Sequence, residues 1–397
     1  MLLVPVRALK PGMRLVQPIT HPRRDDFILL EKGCALTETI IGRLAALGLH
    51  EVWIKFPRLR ARNAAIHKRL RGRHGGLYRT LVRSIGRVRS RVAVGSNLGH
   101  YLRSVEGLLF EILADPDYDA VIAPLSHMPF DPAGHAANVA YLSLLLGFNL
   151  NAYLRIQRRN LPSHLAESTQ GLGIGGLLHD IGKLDLDPSM RGTNILDAEA
   201  VSDEYRAHTT LGYERVLGAI PAAAANVVLN HHQRYDGRGF PERFDRLTKS
   251  TREPPAGDRI HIFSRIAAVA DAFDRLLIAG GPKQPTIVTL HALRSERFAG
   301  WFDPIVVDAL VRLVPPFAVG SIVTLNNGAD AMVMTNHLSV PCEPIIKLVR
   351  GPITERGPHL FQGEIDLRRH PGLAVASVAG VPVTPYLFHH GEVPVLA

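Results

Sequence analysis

Gly175-Gly176-Leu177-Leu178-His179-Asp180-Ile181-Gly182-Lys183-Leu184 is the stretch on which the reading of this chain turns. An apolar, glycine-bearing run delivers an adjacent His-Asp pair, then a glycine, then one lysine. Imidazole nitrogen and carboxylate oxygen are both good ligands for divalent zinc, iron or manganese. The carboxylate of Asp180 has two oxygens and is able to bridge two ions, which a single imidazole is not. On a helix, Lys183 lies near the same face as the pair. Metal ions beside a cation are suited to holding and attacking a phosphodiester. A lone His-Asp dipeptide is also an ordinary surface pair, so the weight falls on the rest of the chain.

Further ligand-type residues recur downstream and upstream of it: His135, His208, His231-His232 and Asp271. Asp131 precedes His135 by one helical turn. Taken singly, His135 and His208 read equally well as satisfied helix histidines. Asp271 is more telling, because it interrupts the apolar run Ile266-Ala-Ala-Val-Ala. A carboxylate on a buried helix face needs a cation or several donors. After the histidine pair, Asp236-Gly237 and Gly239 mark a tight loop.

Composition bounds the setting. The chain has 397 residues, 46% of them hydrophobic, enough for two or three domains of about 100–200 residues each. Two cysteines, Cys34 and Cys342, argue against a disulfide scaffold and fit a reducing cytoplasm. No apolar run reaches the roughly 18 residues of a membrane span, and the N-terminus lacks a secretory pattern. The expectation is a soluble cytoplasmic protein.

The net charge of +10 is local. Between Val52 and Val105 there are fourteen Lys or Arg and no Asp or Glu, which leaves 32 basic and 36 acidic residues elsewhere. Most of the molecule is therefore not built like a nucleic-acid binder. Within the basic segment, 58–103, Leu77, Leu81, Ile85 and Val88 recur at helical spacing. Two readings stand: a solvated connector helix, or a contact for an anionic partner such as a membrane surface. Stacking aromatics are few beyond Tyr78 and Tyr101, which disfavours nucleic acid.

The expected architecture is mainly α. Residues 1–57 read as a small α+β module in which Thr37 caps a helix bearing Ile40, Ile41, Leu44 and Leu47, closed by Gly48. Residues 58–118 form the basic helical connector. Residues 119–314 read as a mostly helical domain, with helices expected at 133–146, 172–184, 197–217, 222–232, 259–278, 287–297 and 304–313. Residues 315–397 read as a β-rich C-terminal module.

Four stretches taken together resemble one family. His179-Asp-Ile-Gly-Lys183, His208-Thr-Thr-Leu-Gly212, His231-His-Gln-Arg-Tyr-Asp-Gly-Arg-Gly-Phe-Pro241 and Arg265-Ile-Ala-Ala-Val-Ala-Asp271 are similar to the HD-GYP subfamily of HD-type metal-dependent phosphohydrolases. The resemblance covers 120–314 and implies an HD-type helical catalytic domain. It implies hydrolysis of cyclic di-GMP to pGpG or GMP through a hydroxide bridging two iron or manganese ions. His135, His179, Asp180 and Asp271 would hold one ion; Asp180 would bridge to a second on His208, His231 and His232. Asp131 stands where some members place a glutamate associated with a third ion. Lys183 would neutralise phosphate charge, and Asp236, Gly237, Gly239 and Lys283 would lie on the substrate side. Implied partners are cyclic di-GMP, a diguanylate cyclase or other signalling protein, and a second copy of the chain.

The sequence also departs from the family. Phe240 replaces the signature tyrosine, and Gln233 stands where a glutamate commonly follows the two histidines. After Asp271, the usual Arg-Pro-Tyr-Arg gives way to Ile278-Ala-Gly-Gly-Pro-Lys-Gln-Pro, with Lys283 in place of one arginine. An ammonium replaces a bidentate guanidinium poorly. The Lys-Pro-Gly loop becomes Ser189-Met-Arg-Gly-Thr-Asn. These changes keep two rivals open: a degenerate member that signals by contact, and a hydrolase of another phosphoester or cyclic dinucleotide.

Overall fold

The computed structural model describes residues 2–15, 18–21, 24–47, 49, 51–54, 72–83, 91–113, 131–190, 202–245, 250–277, 284–337, 340–354 and 357–388. Gly48, Lys283 and the whole basic run before residue 72 lie outside them.

The N-terminal residues form β1 (Leu2–Pro5), β2 (Ile19–His21), β3 (Arg24–Leu30), α1 (Glu38–Ala46) and β4 (Glu51–Ile54). β1 pairs antiparallel with β4, and β2 with β3. Thr37 is the N-cap of α1, its side chain accepting from the Ile40 amide, as Thr preceding an apolar helix should.

The helical body comes next along the chain: α2 (72–83), α3 (Arg91–Leu113), α4 (Pro132–Asn149), α5 (Asn151–Gln157), α6 (Ser163–Ala166), α7 (Gln170–Leu178), α8 (Asp203–Arg206), α9 (His208–Val216), α10 (Ala222–Asn230), a β5–β6 hairpin (Arg243–Asp245, Ser250–Arg252), α11 (Ile262–Leu277), α12 (Thr286–Leu293) and α13 (Pro304–Leu313). α4, α7, α10 and α11 pack on one another at its centre. α11 is buried along its whole length. α2 and α3, on the segment read as a connector, place Leu77, Leu81, Val94, Tyr101, Val105 and Leu108 in the same core. Apolar spacing there marks a packed face rather than a solvated rod. No single helix among the described residues is long and apolar enough to cross a membrane.

Several expected helices are broken. The helix expected at 172–184 ends at Leu178 and resumes as a 3-10 turn at Ile181–Asp185. The one expected at 197–217 appears, in its described part, as α8 and α9. Apolar periodicity continues across such breaks because both pieces bury the same side. His179-Asp180 and His208 sit at these breaks, so these three ligand-type residues occupy helix ends rather than helix interiors.

The C-terminal strands are β7 (Ile322–Leu325), β8 (Asp330–Thr335), β9 (Ile345–Thr354), β10 (Gly357–Leu360), β11 (Ile365–Asp366), β12 (Val375–Val378) and β13 (Val381–Pro382). They form an antiparallel sheet in the order β10-β9-β8-β7-β12-β13, with β11 on β9. Ile322 and Met332 of this sheet share a core with Val4, Met13, Leu15, Leu44 and Ile54 of the N-terminal residues.

One buried ion pair ties the start of α11 to α5 and α13. Arg265 Nη1 donates to Asp303 Oδ2 at 2.6 Å and to Tyr153 Oη and Asp258 Oδ1 at 2.9 Å, and Nη2 donates to Gln157 Oε1 at 2.6 Å. Asp303 is 1% exposed and also caps α13 through the Ile305 amide. Arg265→Met should therefore strand a buried carboxylate and cost roughly 3–5 kcal/mol in urea unfolding. Arg265→Met combined with Asp303→Leu should recover part of that loss. A single mutant as stable as wild type would show that the pair does not fasten these helices.

Candidate metal centre

Helix ends present most of the ligand-type side chains. His179 is the C-cap of α7, and Asp180 precedes the 3-10 turn. His208 opens α9, and His231 is the C-cap of α10 with His232 next to it. His135 and Asp271 come from within α4 and α11. Gly182 lets the Asp180 turn reach α9: a Cβ there would collide with the His208 carbonyl oxygen and stand 2.5 Å from the Gly212 nitrogen. Only glycine permits that backbone contact, which brings His208 to Asp180.

Local hydrogen bonds aim the rings. His179 Nδ1 donates to Gly176 O at 2.8 Å, His208 Nδ1 to Tyr205 O at 2.5 Å, and His231 Nδ1 to Val228 O at 3.0 Å. Each N–H is thus used on backbone, leaving Nε2 pointed inward as metal-binding histidines require. His135 Nδ1 is held at 2.7 Å by Asp274 Oδ2, whose other oxygen accepts from Asn138 at 2.7 Å.

Two clusters result, joined by Asp180. In one, Asp180, His208, His231 and His232 bring a ligand atom each within 4.8 Å of one another. Asp180 Oδ1 is 3.4 Å from His208 Nε2 and 3.6 Å from His231 Nε2, and those nitrogens are 3.5 Å apart. Donors bonded to a common ion at about 2.0–2.1 Å in tetrahedral geometry lie about 3.4 Å from each other. Asp180 Oδ1 and His232 Nε2 are buried with no hydrogen-bond partner. Burial lowers His208 to about 3 and also pulls His231 and His232 down. Neutral imidazoles with free lone pairs facing an unpartnered carboxylate oxygen fit a divalent cation.

The other cluster joins His135, His179 and Asp180, with Asp271 Oδ1 at 2.9 Å from His135 Nε2 and 3.5 Å from His179 Nε2. Burial opposes a charge on His179, yet Asp180 and Asp271 outweigh it and raise its pKa to about 9. Burial likewise opposes ionisation of both carboxylates, but neighbouring cations hold them well below the usual range. For Asp180 these are Lys183, His179 and Arg275; for Asp271, Arg275 leads.

Other sequence-predicted residues have different surroundings. Lys183 is buried, with Nζ 2.7 Å from Asp180 Oδ2 and 5.1 Å from the Tyr205 ring centroid. The expected role of Asp131 in a third metal site needs correction. Asp131 is the N-cap of α4: Oδ1 accepts from Gly134 N at 2.5 Å, and Oδ2 from Tyr78 Oη at 2.9 Å. Pro132 at the first helical position makes Asp131 a cap, and both oxygens are engaged there. Asp236 is bonded within its own loop, to Arg234 at 2.6 Å and to the Arg238 amide at 3.0 Å. Gly237 has φ +82, and a Cβ on Gly239 would collide with Arg234 N, so both shape the turn. Phe240 stacks on His232 at 4.6 Å and 23°. Gln233 donates to Pro241 O at 2.7 Å.

Sequence reasoning missed Asp274 and Arg275. Both follow Asp271 on α11 at spacings of three and four residues, which places them on its face. That spacing was the available signal.

Comparison with known proteins agrees with this geometry. Residues 154–306 match the HD domain family. The chain is 29% identical over 179 residues to the cyclic di-GMP phosphodiesterase PA4108 of Pseudomonas aeruginosa, covering 44% of this chain and 40% of that protein. It is 33% identical over 146 residues to the cyclic di-GMP phosphodiesterase response regulator RpfG of Xanthomonas campestris pv. campestris, covering 34% of each. It is also 30% identical over 141 residues to 3'3'-cGAMP-specific phosphodiesterase 2 of Vibrio cholerae, covering 34% of this chain and 24% of that protein. The chain thus spans less than half the length of these relatives. A solved structure, Bd1817, a HDG"Y"P protein from Bdellovibrio bacteriovorus, aligns with 78% of this chain and 97% of its own at 14% identity, with a TM-score of 0.43. Residues 154–306 are thus similar to the HD domain family, and the chain has distant relatives named as cyclic di-GMP phosphodiesterases.

Proposed function

We propose that the chain is a metal-dependent phosphodiesterase that hydrolyses cyclic di-GMP to pGpG or GMP. The observation that carries this is the set of Asp180 Oδ1, His208 Nε2 and His231 Nε2, mutually spaced at 3.4–3.6 Å, with Asp180 Oδ1 and the neighbouring His232 Nε2 buried and without a hydrogen-bond partner. His232 completes the donors. A divalent ion there, iron or manganese by family resemblance, supplies an acidified water and takes up charge from a phosphate oxygen.

The residues of the chain do the rest. The three imidazoles are fixed or backed from behind, by backbone carbonyls for His208 and His231 and by Phe240 for His232. Lys183 grips Asp180 Oδ2 and so turns Oδ1 toward the histidines. Its charge also lies beside the place where a phosphate reaching the ion would gather negative charge. The names of the relatives support cyclic di-GMP as substrate, and one of them supports 3'3'-cGAMP as a second candidate.

Asp180→Ala should lose bound metal and turnover together, read by elemental analysis of anaerobically purified protein and by chromatography of the products of both cyclic dinucleotides. Retained metal with near-normal turnover would remove this reading. If only 3'3'-cGAMP is cleaved, the substrate assignment changes and the metal chemistry stands.

Lys183→Ala should keep its metal, because all four donors remain, while turnover falls by a factor on the order of 10²–10³. Loss of metal in step with turnover would make Lys183 a structural support of the centre.

A further inference from the structure

We propose that Arg275 is a resident cation standing in for one metal ion. On this view the chain holds a single divalent ion, on Asp180, His208, His231 and His232. The half of the centre formed by His135, His179 and Asp271 is closed by the guanidinium. The inference rests on the metal-holding part of the function proposed above and does not depend on the substrate.

The two halves differ in who holds the carboxylate oxygens. In the His135–His179 half, Asp271 Oδ1 faces both histidines and receives Arg275 Nε at 2.6 Å. Asp180 Oδ2 lies 3.7 Å from His135 Nε2 and 3.4 Å from His179 Nε2, and receives Arg275 Nη2 at 2.9 Å and Lys183 Nζ at 2.7 Å. The two carboxylate oxygens that face the Nε2 atoms of those histidines, Asp271 Oδ1 and Asp180 Oδ2, are therefore already bonded to cationic side chains. Asp180 Oδ1, which faces the other half, has no such donor.

Contacts and charge agree with this division. In the first half His135 Nε2 is 2.9 Å from Asp271 Oδ1 and 3.2 Å from His179 Nε2, distances at which these groups hydrogen-bond one another directly. Asp180 and Asp271 already meet two fixed positive charges there, Arg275 and Lys183, and the third carboxylate, Asp274, is engaged by His135 and Asn138. A dication would add uncompensated charge next to a guanidinium that cannot deprotonate.

Arg275 is also poorly placed to leave. It is 4% exposed, lies one turn from Asp271, and is followed by the buried Leu276 and Leu277. A guanidinium whose nitrogens bridge two carboxylates is held by geometry as well as charge.

The test counts ions. Metal-stripped full-length protein is titrated anaerobically with Mn(II) by calorimetry, and the retained Mn is measured after desalting. Wild type should bind one ion per chain and show the electron-spin signal of isolated Mn(II), without exchange coupling. Arg275→Ala and Arg275→Met, checked for folding by circular dichroism, should each bind two. His208→Ala should lose the wild-type ion, whereas His135→Ala should keep it. Two coupled ions in wild type would overturn the inference and leave the metal-holding reading standing. Folded Arg275 variants that bind only one ion, or a wild-type ion lost in His135→Ala and kept in His208→Ala, would overturn it as well. No ion bound by wild type would remove the metal-holding reading and this inference together. Should the Arg275 variants not fold, the wild-type count and the histidine pair decide.

Discussion

The centre depends on one carboxylate with two dissimilar sides. Asp180 offers Oδ1 to His208 and His231, and Oδ2 to Lys183 and Arg275. A buried charge without partners is costly, and Lys183, His179 and Arg275 are the cations that hold Asp180 ionised beside His208, His231 and His232, which burial keeps neutral. The helices around it are shaped by this need: α7 must stop at Leu178 to release the pair, and Gly182 must admit the backbone of α9.

Support behind the rings is as important as the rings. Backbone carbonyls of α7, α8 and α10 fix His179, His208 and His231, and Asp274 fixes His135. Further out, Arg265 and Asp303 anchor the start of the helix that carries Asp271, Asp274 and Arg275. The helix thus has a buried ion pair at one end and a second, beside the candidate metal centre, at the other.

Much of this was legible in the sequence, for identifiable reasons. His135, His179, Asp180, His208, His231, His232 and Asp271 are conspicuous because polar ligand types interrupt apolar periodicity, and the structure gathers all of them. Thr37 was readable as a cap because capping is a local interaction. Asp131 was misread by the same token: its distance from His135 suits a ligand, but its place before Pro132 makes it a cap. Arg275 was passed over because an arginine near a helix end is ordinarily solvated. Only the tertiary packing that buries α11 on all sides turns it inward. Helix breaks at 179–181 and 207 were hidden because hydrophobic spacing reports which side is buried, not whether the backbone is continuous.

The shared core between the first strands and the late sheet has a consequence for how the chain is made. Val4, Met13 and Leu44 are covered in part by Ile322 and Met332, residues synthesised after the whole helical body. Contacts between such distant parts of a chain carry a large loop-closure cost and form late. The N-terminal strands therefore leave the ribosome well before the sheet residues that complete their core. Until β7 and β8 arrive, that apolar face lacks the part of its native cover that Ile322 and Met332 supply. The helical body, whose core draws mostly on residues nearer in sequence, is positioned to form first and to bring the two ends within reach.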